Sequence, residues 1–312
     1  MGSFPKIFHL GNKNVLGIFE DEVEITEKVD GSQFGFGLRD GELHMHTGSG
    51  GHQIYLEKCE KMFNTAVAYV AGLLAKNRLP NNFYFYAEYL EKPKHNVLAY
   101  DRVPTNNLAL FGVKDIIKDE FLDYDIIKHF ANELEIEPVR VLFQGRLENK
   151  EKLTELLNNI SMLGGSKIEG IVIKNYTKQL LIGGHHIPIL CAKYVSEEFK
   201  EVHNKDWKKD HTGKGRFELF KEKFRTEARW NKAVQHLRER GELEEDPRDI
   251  GKLLKELNQD IIEECQDEIK EWLWKEFGKD VIRHSNRGFA EWYKKKLLDK
   301  AMENITEIHL IV

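Results

Sequence analysis

Through roughly the first 200 residues, apolar and polar positions alternate in short runs, the period of strands buried on one face. "VEITEKV" places Val23, Ile25, Glu27 and Val29 on one face and Glu24, Thr26 and Lys28 on the other. "FGFGLRDGELHMHT" (34–47) reads as a hairpin whose Asp40-Gly41 dipeptide supplies the positive φ angles of a tight turn. Further strand-like runs are "FYFYAEYL" (83–90), "LALFGVKD" (108–115), "VRVLFQG" (139–145), "EGIVIKNY" (169–176) and "ILCAKYV" (189–195). Helical spacing at 55–74 puts Leu56, Cys59, Phe63, Ala66, Val70 and Leu73 on one stripe, and helices are expected again at 124–134 and 150–160. The irregular order and hairpin-like turns predict an α+β domain built on antiparallel sheet.

Past this point the pattern changes. Strand-like runs almost vanish, and Lys, Arg, Glu, Leu and Trp dominate through residue 296. "DPRDIGKLLKELNQDIIEECQDEIKEWLWKEFG" opens with Asp246 as a cap and Pro247 in the first turn, then repeats apolar residues at helical intervals. The expectation is an N-terminal domain over 1–201 and a smaller, all-helical C-terminal domain over 202–312.

Composition narrows the class. Hydrophobic residues at 41% and charged residues at 32% describe a globular chain, with no apolar run near the ~18 residues of a membrane span. The opening "MGSFPKIFHLGNK" has no secretory hydrophobic region. Cys59, Cys191 and Cys265 are odd in number and far apart, which indicates neither a disulfide framework nor a metal knuckle. A reducing, cytoplasmic setting and a monomer are expected. The net charge of −5 argues against blanket affinity for nucleic acid, but residues 200–240 hold 13 Lys/Arg against 7 Asp/Glu, a local basic stretch.

The charges that interrupt the strands carry the chemistry. Lys28 ends one strand just before Asp30-Gly31, where glycine lets a ligand approach the backbone. Glu88, Glu169, Lys174 and Lys193 fall on other strands. A buried charge costs several kcal/mol unless it meets another charge, a metal or a ligand. Any one of these could be a gatekeeper on a strand edge. Two carboxylates and three lysines together point to a site.

In order, "EKVDG", "AEYL", "LALFGVKD", "EGIVIK" and "LCAKYV" resemble the five motifs shared by ATP-dependent ligases and capping enzymes, the covalent nucleotidyltransferases. "FPKIFHLG", "EYLEKPKHNVLAYDRVP" and "YVSEEFKE" narrow the resemblance to the RNA ligase 2 family of polynucleotide ligases, over about residues 4–201. That resemblance implies an antiparallel-sheet nucleotidyltransferase domain with an ATP-grasp-like ligase fold. It implies an ATP-dependent RNA ligase that joins 3′-hydroxyl and 5′-phosphate ends with ATP and Mg²⁺ or Mn²⁺. Lys28 would attack the α-phosphate of ATP to form a lysyl–AMP. Glu27 or its carbonyl would lie near the adenine amino group, Glu88 on the ribose hydroxyls and Phe111 stacked on adenine. Glu169 would bind the catalytic metal, and Lys174 and Lys193 would contact the α-phosphate.

Lysine attacks only as the neutral amine, so its pKa has to fall from about 10.4 towards neutrality; neighbouring lysines and a cation push it that way. Phe111 has a second reading as a core aromatic.

Two positions depart from the family pattern. The arginine usual on the strand after the first hairpin is missing from "HMHTGSGG", where Gly48, Gly50 and Gly51 form a loop and Arg39 lies before the turn. Cys191 stands where the last motif usually has its first lysine. His44 and His46 share a strand face without a third metal ligand fixed by spacing, and His185 and His186 read as turn residues. His95, within the family-like stretch, is a candidate for contact with nucleic acid.

DNA ligases and capping enzymes generally continue into an OB-fold, whereas this chain turns helical. Its basic beginning, with Lys205, Lys208, Lys209, Lys214 and Arg216, would clamp a nicked duplex or hybrid backbone. A DNA or RNA/DNA hybrid nick ligase shares the chemistry. A catalytically impaired nucleotide- or nucleic-acid-binding protein is the alternative of another class.

Overall fold

The alternation at 23–28 builds the strand that carries Lys28, with its apolar side turned to a core and its polar side to a cleft. In the computed structural model, which describes residues 2–48, 52–56, 61–149, 151–182, 184–195 and 216–298, fourteen strands follow. They are β1 (Phe8–His9), β2 (Val23–Lys28), β3 (Ser32–Arg39), β4 (Glu42–Thr47), β5 (Gln53–Ile54), β6 (Phe83–Tyr89) and β7 (Leu108–Asp115). After these come β8 (Glu120–Phe121), β9 (Glu137–Pro138), β10 (Val141–Gly145), β11 (Gly170–Asn175), β12 (Leu180–Ile182), β13 (His185–Ile187) and β14 (Leu190–Val195). The helices are α1 (Asn64–Ala75), α2 (Tyr124–Glu133), α3 (Glu151–Leu156), α4 (Arg216–Glu222), α5 (Glu227–Glu239) and α6 (Asp249–Ser285).

Two sheets organise the first part of the chain. One has the order β1-β14-β11-β2-β10, antiparallel except for β1 beside β14. The other runs β5-β4-β3-β6-β7-β8, antiparallel throughout, with β9 parallel to β7. β12 and β13 form a separate hairpin.

Each sheet has its own apolar cover. Phe34, Phe36 and Phe85 of the second sheet pack under Ala66, Val67, Val70 and Leu73 of α1 and Ile127 and Ala131 of α2. Ile25, Ile171, Ile173, Leu190 and Ala192 of the first sheet pack against Val15, Ile18 and Leu153 of α3. At roughly 1.5–3 kcal/mol per buried large apolar side chain, these two cores hold the strands rigid from outside. On the other faces Tyr84, Tyr86, Phe121 and Cys191 form a third cluster and Val29, Leu90, Tyr100 and Ala109 a fourth, which frame the charged positions.

Most strand expectations match within a residue or two. The 34–47 hairpin closes at Asp40 (φ 52°) and Gly41 (φ 81°). The helix expected at 55–74 opens only at Asn64, with Tyr55 and Leu56 exposed; Cys59 lies outside the described residues. The one expected at 150–160 stops at Leu156, whose carbonyl takes the Asn159 side-chain amide at 2.8 Å, so a local side chain outcompetes the next helical turn. Asp246 accepts from the Arg248 N–H (2.7 Å) in the turn before α6 rather than at its first residue.

The chain divides into two compact units, Met1–Leu253 and Leu254–Val312. The change in texture near 200 is a change of secondary structure, and α4 and α5 belong to the first unit. Among the described residues, no helix is long and apolar enough to cross a membrane.

Candidate active site

Register decides which side chains share the cleft. Directly opposed residues of neighbouring antiparallel strands point to the same face. Lys28 opposes Gly170, which opposes Val195; Thr26 opposes Val172, which opposes Lys193; Glu24 opposes Lys174, which opposes Cys191. Lys28, Lys193 and Lys174 therefore stand on one face, in successive rows. At about 3.3 Å per residue the Lys193 row is ~7 Å from Lys28 and the Lys174 row ~13 Å.

Lys28 Nζ donates to Glu169 Oε2 at 2.5 Å, and the lysine side chain is 28% exposed. Glu88 comes from the other sheet and accepts from the Gly31 N–H at 3.1 Å. Asp30, between them in the chain, is buried. Two glycines make the approach possible. A side chain at Gly31 would meet the Tyr89 carbonyl oxygen at 2.6 Å, and one at Gly170 the Tyr194 carbonyl oxygen at 2.6 Å.

These charges perturb one another. Burial by itself would lower the Lys28 pKa, but Glu169, Glu88 and Asp30 together outweigh it and hold the amine above its ordinary value. Lys28 in this site is an ammonium ion. The expectation of a depressed pKa is thus not met by the chain's own residues, because the charges that act on Lys28 are the carboxyl groups of Glu169, Glu88 and Asp30. Burial raises the Glu169 carboxyl, against the opposing effect of Lys28, with Asp30 adding to the rise and Lys193 opposing it. Burial also pushes Glu88 up to about 8; Lys28 opposes, while Glu169, Glu239 and Asp30 reinforce the rise.

The remaining expected residues fall into distinct places. Lys193 sits one row from Lys28 and within electrostatic reach of Glu169. Phe111 is the extra residue of a bulge in β7, between Leu110 opposite Ala87 and Gly112 opposite Tyr86. A bulge re-aims a side chain, and here the ring lies partly buried, edge-on to Phe4 at 5.1 Å.

Lys174 needs correction. It is almost fully buried, and its Nζ is held by Glu24 Oε1 at 2.9 Å and the Phe111 carbonyl at 2.7 Å. It braces the two sheets, with its ammonium group held by Glu24 and the Phe111 carbonyl two rows from Lys28. Glu27 is also corrected as a side chain: it lies on the opposite face of β2, where its carboxylate accepts from Ser161 Oγ (2.5 Å), the Met162 N–H (2.9 Å) and Arg140 (3.3 Å). Burial raises its pKa and these three partners offset the rise. Its backbone carbonyl alone is left for the adenine role.

His95 is tied down as well. Its Nδ1 accepts from the Glu91 N–H at 3.1 Å, so Nε2 carries the proton and donates to Ser32 Oγ at 3.0 Å. Both ring nitrogens are used inside the fold, which argues against the expected contact with nucleic acid. Lys205, Lys208 and Lys209 lie outside the described residues, and Arg216 opens α4.

The departures from the pattern have physical readings. Arg39 ends β3 beside the turn, 56% exposed and seven residues beyond the site end of its strand, so it does not replace the missing arginine. Cys191 is a buried thiol whose pKa burial pushes up to about 12, and it opposes Lys174, which already supplies a cation to that row. His46 Nδ1 meets the Tyr84 hydroxyl at 2.7 Å.

Two groups of contacts were not foreseen. Asp30 Oδ2 accepts from the N–H groups of Val97 and Leu98, both at 2.8 Å, and the Asp30 N–H donates to the Tyr100 hydroxyl at 2.8 Å. The aspartate of "EKVDG" thus anchors the 91–100 loop over the site, a role its place in the motif hinted at. From α5, Gln235 Nε2 reaches the Gly31 carbonyl at 3.2 Å, across 204 positions of chain, for which no local signal exists.

A cation-lined strand face, a terminal lysine locked to a carboxylate and a second sheet contributing Glu88 define a lysine-centred site between two antiparallel sheets. The RNA ligase family profile matches residues 21–195, more than half of the chain. The chain belongs to the RNA ligase family.

Among solved structures it is similar to the Naegleria gruberi RNA ligase with PPi, at 17% identity and a TM-score of 0.49, covering 65% of this chain and 58% of that one. A lysine-to-alanine variant of that ligase with ATP and Mn shows 17% identity and a TM-score of 0.49, over 65% and 59% of the two chains. A glutamate-to-alanine variant with AMP and Mn gives 17% and 0.48, over 65% and 58%. The matched region is thus less than two thirds of those structures' length. No curated protein matches the chain.

Proposed function

We propose that this protein is an ATP-dependent RNA ligase that seals 3′-hydroxyl and 5′-phosphate ends through a lysyl–AMP at Lys28. The observation that carries the reading is the Lys28–Glu169 contact at 2.5 Å, at the mouth of a cleft whose other near groups are Glu88 and Lys193. Membership of the RNA ligase family and the ATP, AMP and Mn of the similar structures support it.

In the first step the Lys28 amine, once neutral, forms a bond to the α-phosphorus while the bond to the bridging oxygen breaks and pyrophosphate leaves. The AMP then passes to the 5′-phosphate of an RNA, and a 3′-hydroxyl displaces it. Lys193 stabilises negative charge on the transferring phosphate, and Glu88 orients the ribose. Phe111 packs on the base, with the Glu27 carbonyl near its amino group. The Lys28 proton has Glu169 as its adjacent acceptor.

A divalent cation fits this site in a specific way. Among the described residues no three His, Cys, Asp or Glu side chains converge to hold a metal. Glu169 offers one nearly buried carboxylate, the usual protein share for a magnesium ion completed by phosphate oxygens and water. When bound there, such an ion supplies charge neutralisation to the phosphates and draws the Glu169 charge away from Lys28, lowering the amine's pKa.

The helical region after residue 201, with Lys205, Lys208, Lys209 and Arg216, is proposed to hold the RNA backbone, and a cytoplasmic monomer fits the sequence. Nicked RNA, nicked DNA and hybrid duplexes presented side by side, each with ATP and Mg²⁺, test the substrate. Sealed product on RNA-containing nicks is expected. Sealing of all-DNA nicks alone would overturn RNA as substrate.

A further inference from the structure

A polar chain runs from the loop above the site into α5, with Ser32 and Glu239 as its buried members. The Glu91 N–H donates to His95 Nδ1 (3.1 Å), His95 Nε2–H donates to Ser32 Oγ (3.0 Å), and the Glu239 carboxylate acts on the same Ser32 hydroxyl. Gln235 Nε2 closes the network, facing Glu239 Oε1 at 2.8 Å, the Gly31 carbonyl at 3.2 Å and Ser32 Oγ at 3.4 Å. Glu239 is 3% exposed, and Ala233 and Leu237 on the same helix are buried. A carboxylate this deep is costly unless satisfied, and here Gln235 joins it to the turn that follows Lys28.

From this network the structure assigns α5 to the adenylation apparatus: Gln235 and Glu239 are positioning residues that fix the Gly31–Ser32 backbone, and through it Lys28 and Glu88. This rests on the reading of Lys28 as the nucleophile. Nucleotidyl transfer is sensitive to placement, and a shift of about 1 Å in the attacking group costs up to ~100-fold. The Gly31 N–H is the donor to Glu88, so loosening this turn disturbs both groups at once.

The charges around Glu88 give a second signature. Lys28 from β2, Asp30 from the turn, Glu169 before β11 and Glu239 from α5 all act on it. Around Glu239 stand Ser32, Gln235, His236 and Arg240, with His95 one hydrogen bond further. Burial raises the Glu239 carboxyl, against the opposing effect of Ser32, Gln235, His236 and Arg240. Once ionised it raises the Glu88 pKa, and glutamine keeps a hydrogen-bonding group next to Gln235 without that charge.

The test uses the full chain and two readouts. Gln235→Ala and Glu239→Ala are expected to slow formation of the labelled AMP adduct between about tenfold and a hundredfold at saturating ATP. Asn231→Ala, at an exposed position of the same helix, is expected to leave it unchanged. Glu239→Gln is expected to recover most of the rate while moving the alkaline inflection of the pH profile to lower pH. Hydrogen–deuterium exchange at residues 28–32 and 91–98 supplies a measure independent of catalysis, and faster exchange is expected in Glu239→Ala alone among the Glu239 and Asn231 variants. Unchanged adduct rates in both alanine variants, or unchanged exchange at the turn in Glu239→Ala, overturn the assignment. A wild-type chain that forms no adduct counts against Lys28 as nucleophile, while the exchange result still decides whether α5 anchors the turn.

Discussion

At the scale of single residues, the site is governed by competition between burial and pairing. The carboxyl groups of Glu169, Glu88 and Asp30 outweigh burial and keep Lys28 protonated; in the proposed mechanism the amine turns nucleophilic once charge near Glu169 is redistributed. Glu169→Gln removes the nearest proton acceptor and the carboxylate proposed to hold the cation, and is expected to reduce adduct formation at least about 100-fold, with Lys28 titrating at lower pH. Adduct formation at the wild-type rate would contradict that role.

Glu88 makes a pH prediction with a definite sign. Its carboxyl titrates near 8 in the fold against an ordinary 4.5, so the folded state prefers it protonated. The associated stability is complete below about 4.5 and is lost as pH rises to about 8. Glu88→Gln is therefore expected to gain thermal stability over the wild type progressively across that window and to hold the difference above it. A constant difference from pH 4 to pH 9 would contradict the assignment. Lys28, Glu88, Glu169 and Lys193 were legible as charges that break a strand's apolar pattern. The pairing of Lys28 with Glu169 was not, because it joins positions 141 residues apart.

At the scale of elements, strands were read well because alternation reports burial directly: β7 matches its expected span, and β2 differs from it by one residue. Helix ends were read less well, since Asn159 competes locally with helical periodicity and α1 opens only at Asn64. The same limit affected Lys174. Its strand and face were readable, but its row was not, and the row decides that it meets Glu24. Breaking a buried pair leaves an uncompensated charge, so Lys174→Met is expected to cost roughly 3–5 kcal/mol in urea unfolding. Lys174→Met combined with Glu24→Gln is expected to restore most of the stability and also the adduct. Restored stability without adduct would return Lys174 to the phosphate.

At the scale of the whole molecule, the composition change near residue 200 marked where strands give way to helices, but the first compact unit extends to Leu253. Sequence could not show that α5 belongs with the strands, because Gln235 and Glu239 look like ordinary surface residues of a charged helix. A chain ending at residue 253 is expected to keep adduct formation, whereas one ending at 201 is expected to lose most of it; equal activity in both would contradict a part for α5. The central claim concerns one nitrogen. Incubating the full chain with ATP and a divalent cation, then measuring intact mass and mapping the modified peptide, tests it most directly. The account predicts an increment of one AMP on the peptide containing Lys28, absent in Lys28→Ala. An unmodified chain under these conditions, or AMP carried on a different residue, would contradict it.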